Sequence, residues 1–233
     1  MTDNAVTDEA VTALAFDRRR LLLGGSALSL LALAGCSDGG ANAQELPGSV
    51  GTVDTGELMQ EGPLPDLIEG DPDAPVTIVE YASMTCPHCA RFHGDTYPEI
   101  KEKYVETGKA RFILREFPFD PRSAAAFMLA RCAGESKRPA MVDALFEQQQ
   151  AWARAENGQA ALFDIARLAG FTQDSFRECL SDQKLLDDVM ATFKRGQELG
   201  VESTPTFFIN GAKFQGNMSA ADMSAAIDAA LAA

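Results

Sequence analysis

Cys86-Pro87-His88-Cys89 is the place in this sequence where residue types and spacing together specify a chemistry. Two thiols separated by two residues can close into a disulfide across one helical turn and open again. The strand-like run Val76-Thr77-Ile78-Val79-Glu80-Tyr81 precedes the pair and a helical pattern follows it, which puts Cys86 at a helix N-terminus. There, unpaired backbone N–H groups and about half a positive charge of helix dipole favour a thiolate over a thiol. Thiols so placed ionise at roughly pH 3.5–7.5, and each pKa unit is worth ~1.4 kcal/mol of preference for the ionised form. Cys86 is therefore expected to attack, and Cys89, one turn inward, to complete the disulfide. His88 can donate a hydrogen bond or a positive charge to the Cys86 sulfur. Pro87 gives up an N–H that the helix start would leave unsatisfied anyway. A half zinc site with His93 as third ligand is the competing use of the same cysteines. A structural zinc takes four ligands, however, and the other cysteines lie far along the chain. His93 instead falls on a stripe with Tyr97, Ile100 and Tyr104 at i, i+4, i+7 and i+11, the pattern of a core-facing helix side interrupted by Pro98.

The elements that must hold this pair can be read on either side of it. Arg111–Phe117 is a second strand-like run, and from residue 122 to 199 the sequence is almost entirely helix-forming. Strand character returns at Thr206–Ile209, followed by Asn210-Gly211, a strong two-residue hairpin signal, and by Ala212–Gln215. A helix over about 219–231 closes the chain. The order predicts an α/β fold, a small sheet interrupted by an all-helical insertion.

Glu80, Cys86-Pro87-His88-Cys89, Glu116-Phe117-Pro118 and Ser203-Thr204-Pro205-Thr206-Phe207-Phe208-Ile209-Asn210-Gly211 together resemble the DsbA-like thiol:disulfide oxidoreductases, a thioredoxin-like fold with a helical insertion. The resemblance runs from about Asp66 to Ala233. It implies a cis Pro205 beside the sulfurs, with Thr204 offering backbone groups to an extended substrate segment. It also implies that Glu80 lies beneath the site as a proton relay for Cys89, against the alternative of a strand-end carboxylate turned to water. The activity implied is an oxidase that introduces disulfides into reduced or unfolded exported proteins and is reoxidised by a DsbB-like membrane protein. Thr204 stands where the oxidase type has valine, which leaves a disulfide isomerase or reductase open. A non-enzymatic protein holding Cu(I) between Cys86 and Cys89 is the reading from a different class. Cys132 and Cys179 both fall in the insertion and are expected to pair in an oxidising compartment, as in several DsbA-like branches. Two buried reduced thiols are the alternative.

The compartment is read from the N-terminus. Residues 18–36 carry three arginines, an uncharged apolar stretch from Leu21 to Ala34 and then a cysteine, the pattern of an export signal too short to span a bilayer as a helix. Arg18-Arg19-Arg20 resembles the twin-arginine motif. Leu33-Ala34-Gly35-Cys36 resembles a lipobox that would acylate Cys36, while Ala41-Asn42-Ala43 fits ordinary cleavage. The organisation expected is a signal over 1–35, a tether over 36–65, a thioredoxin-like domain over 66–121 and 185–233, and the insertion over 122–184. The tether is too short to be a dimerisation domain, so a periplasmic monomer is expected, touching membrane only through a lipid. A net charge of −14 argues against nucleic acid. No phosphate loop, Rossmann glycine pattern or Ser-His-Asp order is present, so neither cofactor nor metal is called for.

Overall fold

A computed structural model describes residues 43–233; the expected export signal, the twin-arginine motif and Cys36 lie outside the described residues. The chain runs β1 (Gly51–Thr52), α1 (Thr55–Leu58), β2 (Leu67–Glu69), β3 (Val76–Ala82), α2 (Pro87–Arg91), α3 (Tyr97–Ile100) and β4 (Ala110–Glu116). It continues through α4 (Pro121–Cys132), α5 (Arg138–Glu147), α6 (Gln149–Ala153), α7 (Gly158–Leu168), α8 (Gln173–Leu180) and α9 (Gln183–Glu198). It ends on β5 (Thr206–Ile209), β6 (Ala212–Gln215) and α10 (Ala220–Leu231). No helix among the described residues is long and apolar enough to cross a membrane.

β3, β-branched and nearly all apolar, is buried along its whole length, as a central strand must be. It pairs in parallel with β4 and antiparallel with β5, in a sheet of order β1-β6-β5-β3-β4-β2. Alternate residues feed opposite faces. Val76 and Ile78 pack with Phe92, Ile100, Tyr104, Phe207 and Ile227, whereas Val79 and Tyr81 pack with Leu58, Ile113, Phe117 and Phe208. The helical crossover from β3 to β4 is not a plain α-helix. α2 passes into a π-helical turn (Phe92–Thr96), then α3, then a second π-helical turn (Lys101–Val105). The first π turn closes with the Tyr97 N–H on the Phe92 carbonyl, so Pro98 falls at the start of a fresh α turn, where its missing N–H costs little. Tyr97, Ile100 and Tyr104 face inward at 4%, 0% and 1% exposure, in keeping with the stripe.

Asn210 (φ 45°) and Gly211 (φ 85°) turn β5 into β6 with two left-handed residues, the geometry that Asn-Gly favours. Gly211 is needed twice over, since a Cβ there would lie 2.5 Å from both the Val53 carbonyl and the Ala43 side chain. That contact exposes a difference from the expected tether over 36–65. From Leu46 onward the segment is packed: Leu46 and Leu58 are buried, and β1 pairs with β6. Arg115, itself buried, clamps the strap, donating to the Leu58 carbonyl (2.7 Å) and to both carboxylate oxygens of Asp66 (2.9 and 2.7 Å). Periodicity could not reveal this, because β1 has two residues and α1 a single turn.

The insertion packs around Phe127, Leu129, Leu145, Trp152, Ile165 and Phe176, in a core that also takes in Ala82, Met84 and Cys89. α4 starts on Asp120, whose carboxylate accepts from the Arg122 and Ser123 N–H groups. Cys132 at the end of α4 and Cys179 in α8 form a disulfide with a Cα–Cα distance of 6.1 Å. The expected boundary after residue 184 falls inside the first turn of α9, which crosses the sheet face so closely that a Cβ on Gly196 would sit 2.9 Å from the Phe117 and Tyr81 rings.

Candidate active site

Cys86 is the N-cap of α2, with extended backbone (φ −77°, ψ 119°) and Pro87 directly after it. The strand-to-helix turn that carries it is held from two sides. Its N–H donates to the Ser83 carbonyl at 3.0 Å. Ser123 Oγ receives the Met84 N–H and lies 2.9 Å from Ser83 Oγ. Gln149, 3% exposed, donates one amide group to the carbonyls of both Met84 and Cys86 at 2.9 Å each. Ser123 and Gln149 belong to α4 and α6, so the insertion braces the reactive turn. Neither was marked by a local pattern: Gln149 sits in a run of three glutamines on a helix, and nothing nearby in sequence shows that it points at residue 86.

Both cysteines of the pair carry free thiols, Cys86 part-exposed and Cys89 buried at 0% exposure. Their environments drive them apart. The Cys89 thiol, donating to the Cys86 sulfur, is the strongest influence lowering the Cys86 pKa, which falls to about 5 against the opposing effect of partial burial. The Thr204 hydroxyl and the backbone N–H groups of Cys89 and His88 lower it further. Of residue 88 it is the backbone N–H that lowers the sulfur's pKa here, and the residue is exposed beside it. Cys89 moves the other way, well above the ordinary thiol range, first because it is buried, then because of its bond to Cys86 and the nearby Glu80 carboxylate. Cys86 Sγ donates to the Thr204 carbonyl at 3.3 Å, and the Thr204–Pro205 peptide is cis. Thr204 Oγ1 is buried without another partner, leaving it available to the sulfur.

Glu80 is 0% exposed, so its carboxylate is not turned to water. Oε2 lies 2.8 Å from His93 Nε2, while Oε1 has no hydrogen-bond partner. His93 is buried on the stripe expected of it, and it is also the partner of Glu80. The signal that could have found this is a polar residue on an apolar helix face opposite a polar residue in an apolar strand, since two such groups tend to bury together.

The thioredoxin family model matches residues 64–229. A Rickettsia bellii protein named for protein-disulfide oxidoreductase activity is 36% identical over 171 residues, 71% of this chain and 64% of that relative. The chain thus spans a little under two thirds of the length of this curated relative. Wolbachia pipientis alpha-DsbA1, in its crystal structure, is 34% identical with a TM-score of 0.70 over 76% of this chain and 96% of that one. A protein-disulfide isomerase from Novosphingobium aromaticivorans is 25% identical with a TM-score of 0.63 over 72% of this chain and 99% of its own. On sequence and on fold alike, the chain belongs to the thioredoxin family, within the DsbA-like group of thiol:disulfide oxidoreductases whose sheet is interrupted by helices.

Proposed function

We propose that this protein is an exported thiol:disulfide oxidoreductase that acts chiefly as an oxidase, passing its Cys86–Cys89 disulfide to reduced or unfolded proteins. One observation carries the reading: the two sulfurs of one motif are pushed in opposite directions, Cys86 down to about 5 and Cys89 up. A low pKa at Cys86 makes it a good leaving group and stabilises the reduced protein, so the disulfide form is oxidising.

In the oxidative half-reaction a substrate thiolate attacks Cys86 Sγ. The Cys86–Cys89 bond breaks, a mixed disulfide forms at Cys86, and Cys89 leaves as a thiolate that takes a proton, for which Glu80, whose charge acts on the Cys89 thiol, is the relay. The second substrate thiolate then attacks the substrate sulfur of the mixed disulfide and expels Cys86 as a stable thiolate. Two electrons pass from the substrate dithiol to the enzyme, and the substrate leaves as a disulfide. The Thr204 backbone lies at the Cys86 sulfur, placed to pair with an extended segment bound there. Reoxidation reverses the sequence against a DsbB-like quinone-linked membrane protein.

The setting we assign is periplasmic, reached through the signal in residues 1–35 by the twin-arginine route, with Cys36 as lipid anchor. The direct test is the reduction potential of the Cys86–Cys89 pair together with oxidation of a two-cysteine peptide. A value well above thioredoxin's, toward the ~−120 mV of strong oxidants, is expected, and one at or below about −270 mV overturns the oxidase. A disulfide isomerase is the second reading, favoured by Thr204 before the proline and by the likeness to a solved protein-disulfide isomerase. Refolding of scrambled ribonuclease separates the two: an oxidase alone recovers little activity.

A further inference from the structure

Cys89 presents the exchange reaction with a proton problem. It must give up and regain a proton in every cycle, yet it is fully buried, and a substrate joined to Cys86 covers the mouth above it. The buried Glu80–His93 pair has the makings of a second way out. Its side chains are 0% and 5% exposed and in contact at 2.8 Å. The His93 ring is fixed by stacking on Phe146 (centroids 4.2 Å apart, planes 19° apart) and by Phe92 against its edge. Each end of the pair carries a buried polar atom without a hydrogen-bond partner, Oε1 on Glu80 and Nδ1 on His93. Unpaired buried polar atoms cost stability and call for a reason. His93 also lines a lateral cavity of about 430 Å³, together with Tyr97, Lys101, Asp143 and Glu147. The groove beside the mouth, lined by Thr85, Pro87, Asp120 and Arg122, shares no residue with it.

We propose that Glu80 and His93 form a proton-carrying pair that connects Cys89 to the lateral cavity, so that the proton of the buried thiol enters and leaves by a route separate from the mouth that substrate occupies. The proposal rests on the exchange reaction above and makes His93 a positioning residue that acts through Glu80. When Cys89 attacks, its S–H bond breaks and an O–H bond forms at Glu80 Oε1. The pair then goes from one negative charge to none. With the ring in its Nδ1–H tautomer, the carboxylic acid proton crosses to Nε2 as the Nδ1–H bond breaks and that proton passes to water in the cavity. This restores the carboxylate and leaves the ring protonated at Nε2. The cycle runs backward when Cys89 is expelled as a thiolate. The groups facing the pair suit this traffic. Cys89 stands at the Glu80 end; Asp143 and Glu147 of α5 stand at the cavity end, where they favour a transient imidazolium, and Lys101 is engaged by Glu69 of β2 at 2.6 Å.

The chain has two histidines, so nitrogen NMR of the untagged wild-type protein reports on His93 with one other signal to separate. The expected result is that the His93 nitrogen shifts, and the tautomer they report, differ between the oxidised and the reduced protein; shifts identical in the two states overturn the proposal. In kinetics, the mixed disulfide of Cys86 with glutathione is allowed to resolve by attack of Cys89. His93→Gln, which can still hydrogen-bond Glu80, is expected to slow resolution about tenfold at pH 7 and to add nothing to Glu80→Gln in the double variant, while Cys86 still ionises near pH 5. Resolution within twofold of wild type from pH 5 to 9, or losses that multiply in the double variant, overturn the relay alone. Failure of wild-type Cys86 to form the mixed disulfide at all overturns the exchange reading and the relay with it. Should His93→Gln fail to fold, the wild-type NMR decides.

Discussion

The protein holds two pairs of cysteines in the described residues, and they behave oppositely because of where the fold puts them. Cys132 and Cys179 sit 47 residues apart in two helices of the insertion, joined as a disulfide. Cys86 and Cys89 sit one turn apart, as free thiols, at the mouth of α2, where amides, a neighbouring thiol and the Thr204 hydroxyl all stabilise negative charge on one sulfur. The first pair closes a long loop and so restrains the unfolded chain strongly; the second closes a loop of four residues and restrains it about half as much. What distinguishes a structural from a reactive disulfide is thus the stability of the thiolate it would release, set by donors around one atom.

The comparison breaks if the pairs can exchange roles. Cys86→Ala is expected to reduce oxidation of a two-cysteine peptide by at least about a thousandfold, through loss of the attacking group. Removing both Cys132 and Cys179 is expected to leave that rate within twofold. The same double variant is expected to lose about 4 kcal/mol of stability in urea unfolding, the chain-entropy value for a loop of this size. A loss of exchange activity in the folded double variant would show that the insertion disulfide takes part in the chemistry. Gln149→Ala strands two buried carbonyls beside the reactive turn and should cost about 1–3 kcal/mol, measured by the same unfolding. Smallest is Thr204→Val, which keeps shape and removes one hydroxyl. It should raise the Cys86 midpoint from about 5 by less than replacement of the Cys89 thiol does, and leave stability little changed.

The parts of the site that could be read from the chain are those whose causes are local. Cys-Pro-His-Cys between a strand and a helix, Asn-Gly between two strand runs, and an all-apolar β3 each carry their structural consequence within a few residues. The long-range parts stayed hidden. Glu80 and His93 are thirteen residues apart in sequence, and their meeting depends on how the helical crossover folds back over the sheet. Gln149 reaches Cys86 from 63 residues away. The strap over 46–65 lacks any period, and it is fixed by Arg115, a charge in mid-strand that gains its meaning only from the Asp66 carboxylate and Leu58 carbonyl brought beside it.

The central claim is that the fold holds Cys86 as a thiolate. Its pKa is depressed relative to the unfolded chain, so the resulting stabilisation of the reduced protein is fully present above the ordinary thiol range and fades as the pH falls through about 5. Ultraviolet thiolate absorbance of the reduced protein, followed from pH 3 to pH 10 against a Cys86→Ala blank, measures this directly. Half-ionisation near pH 5, with no second thiolate appearing before strongly alkaline pH, is the predicted result. A Cys86 thiol that ionises only above pH 8 would contradict it.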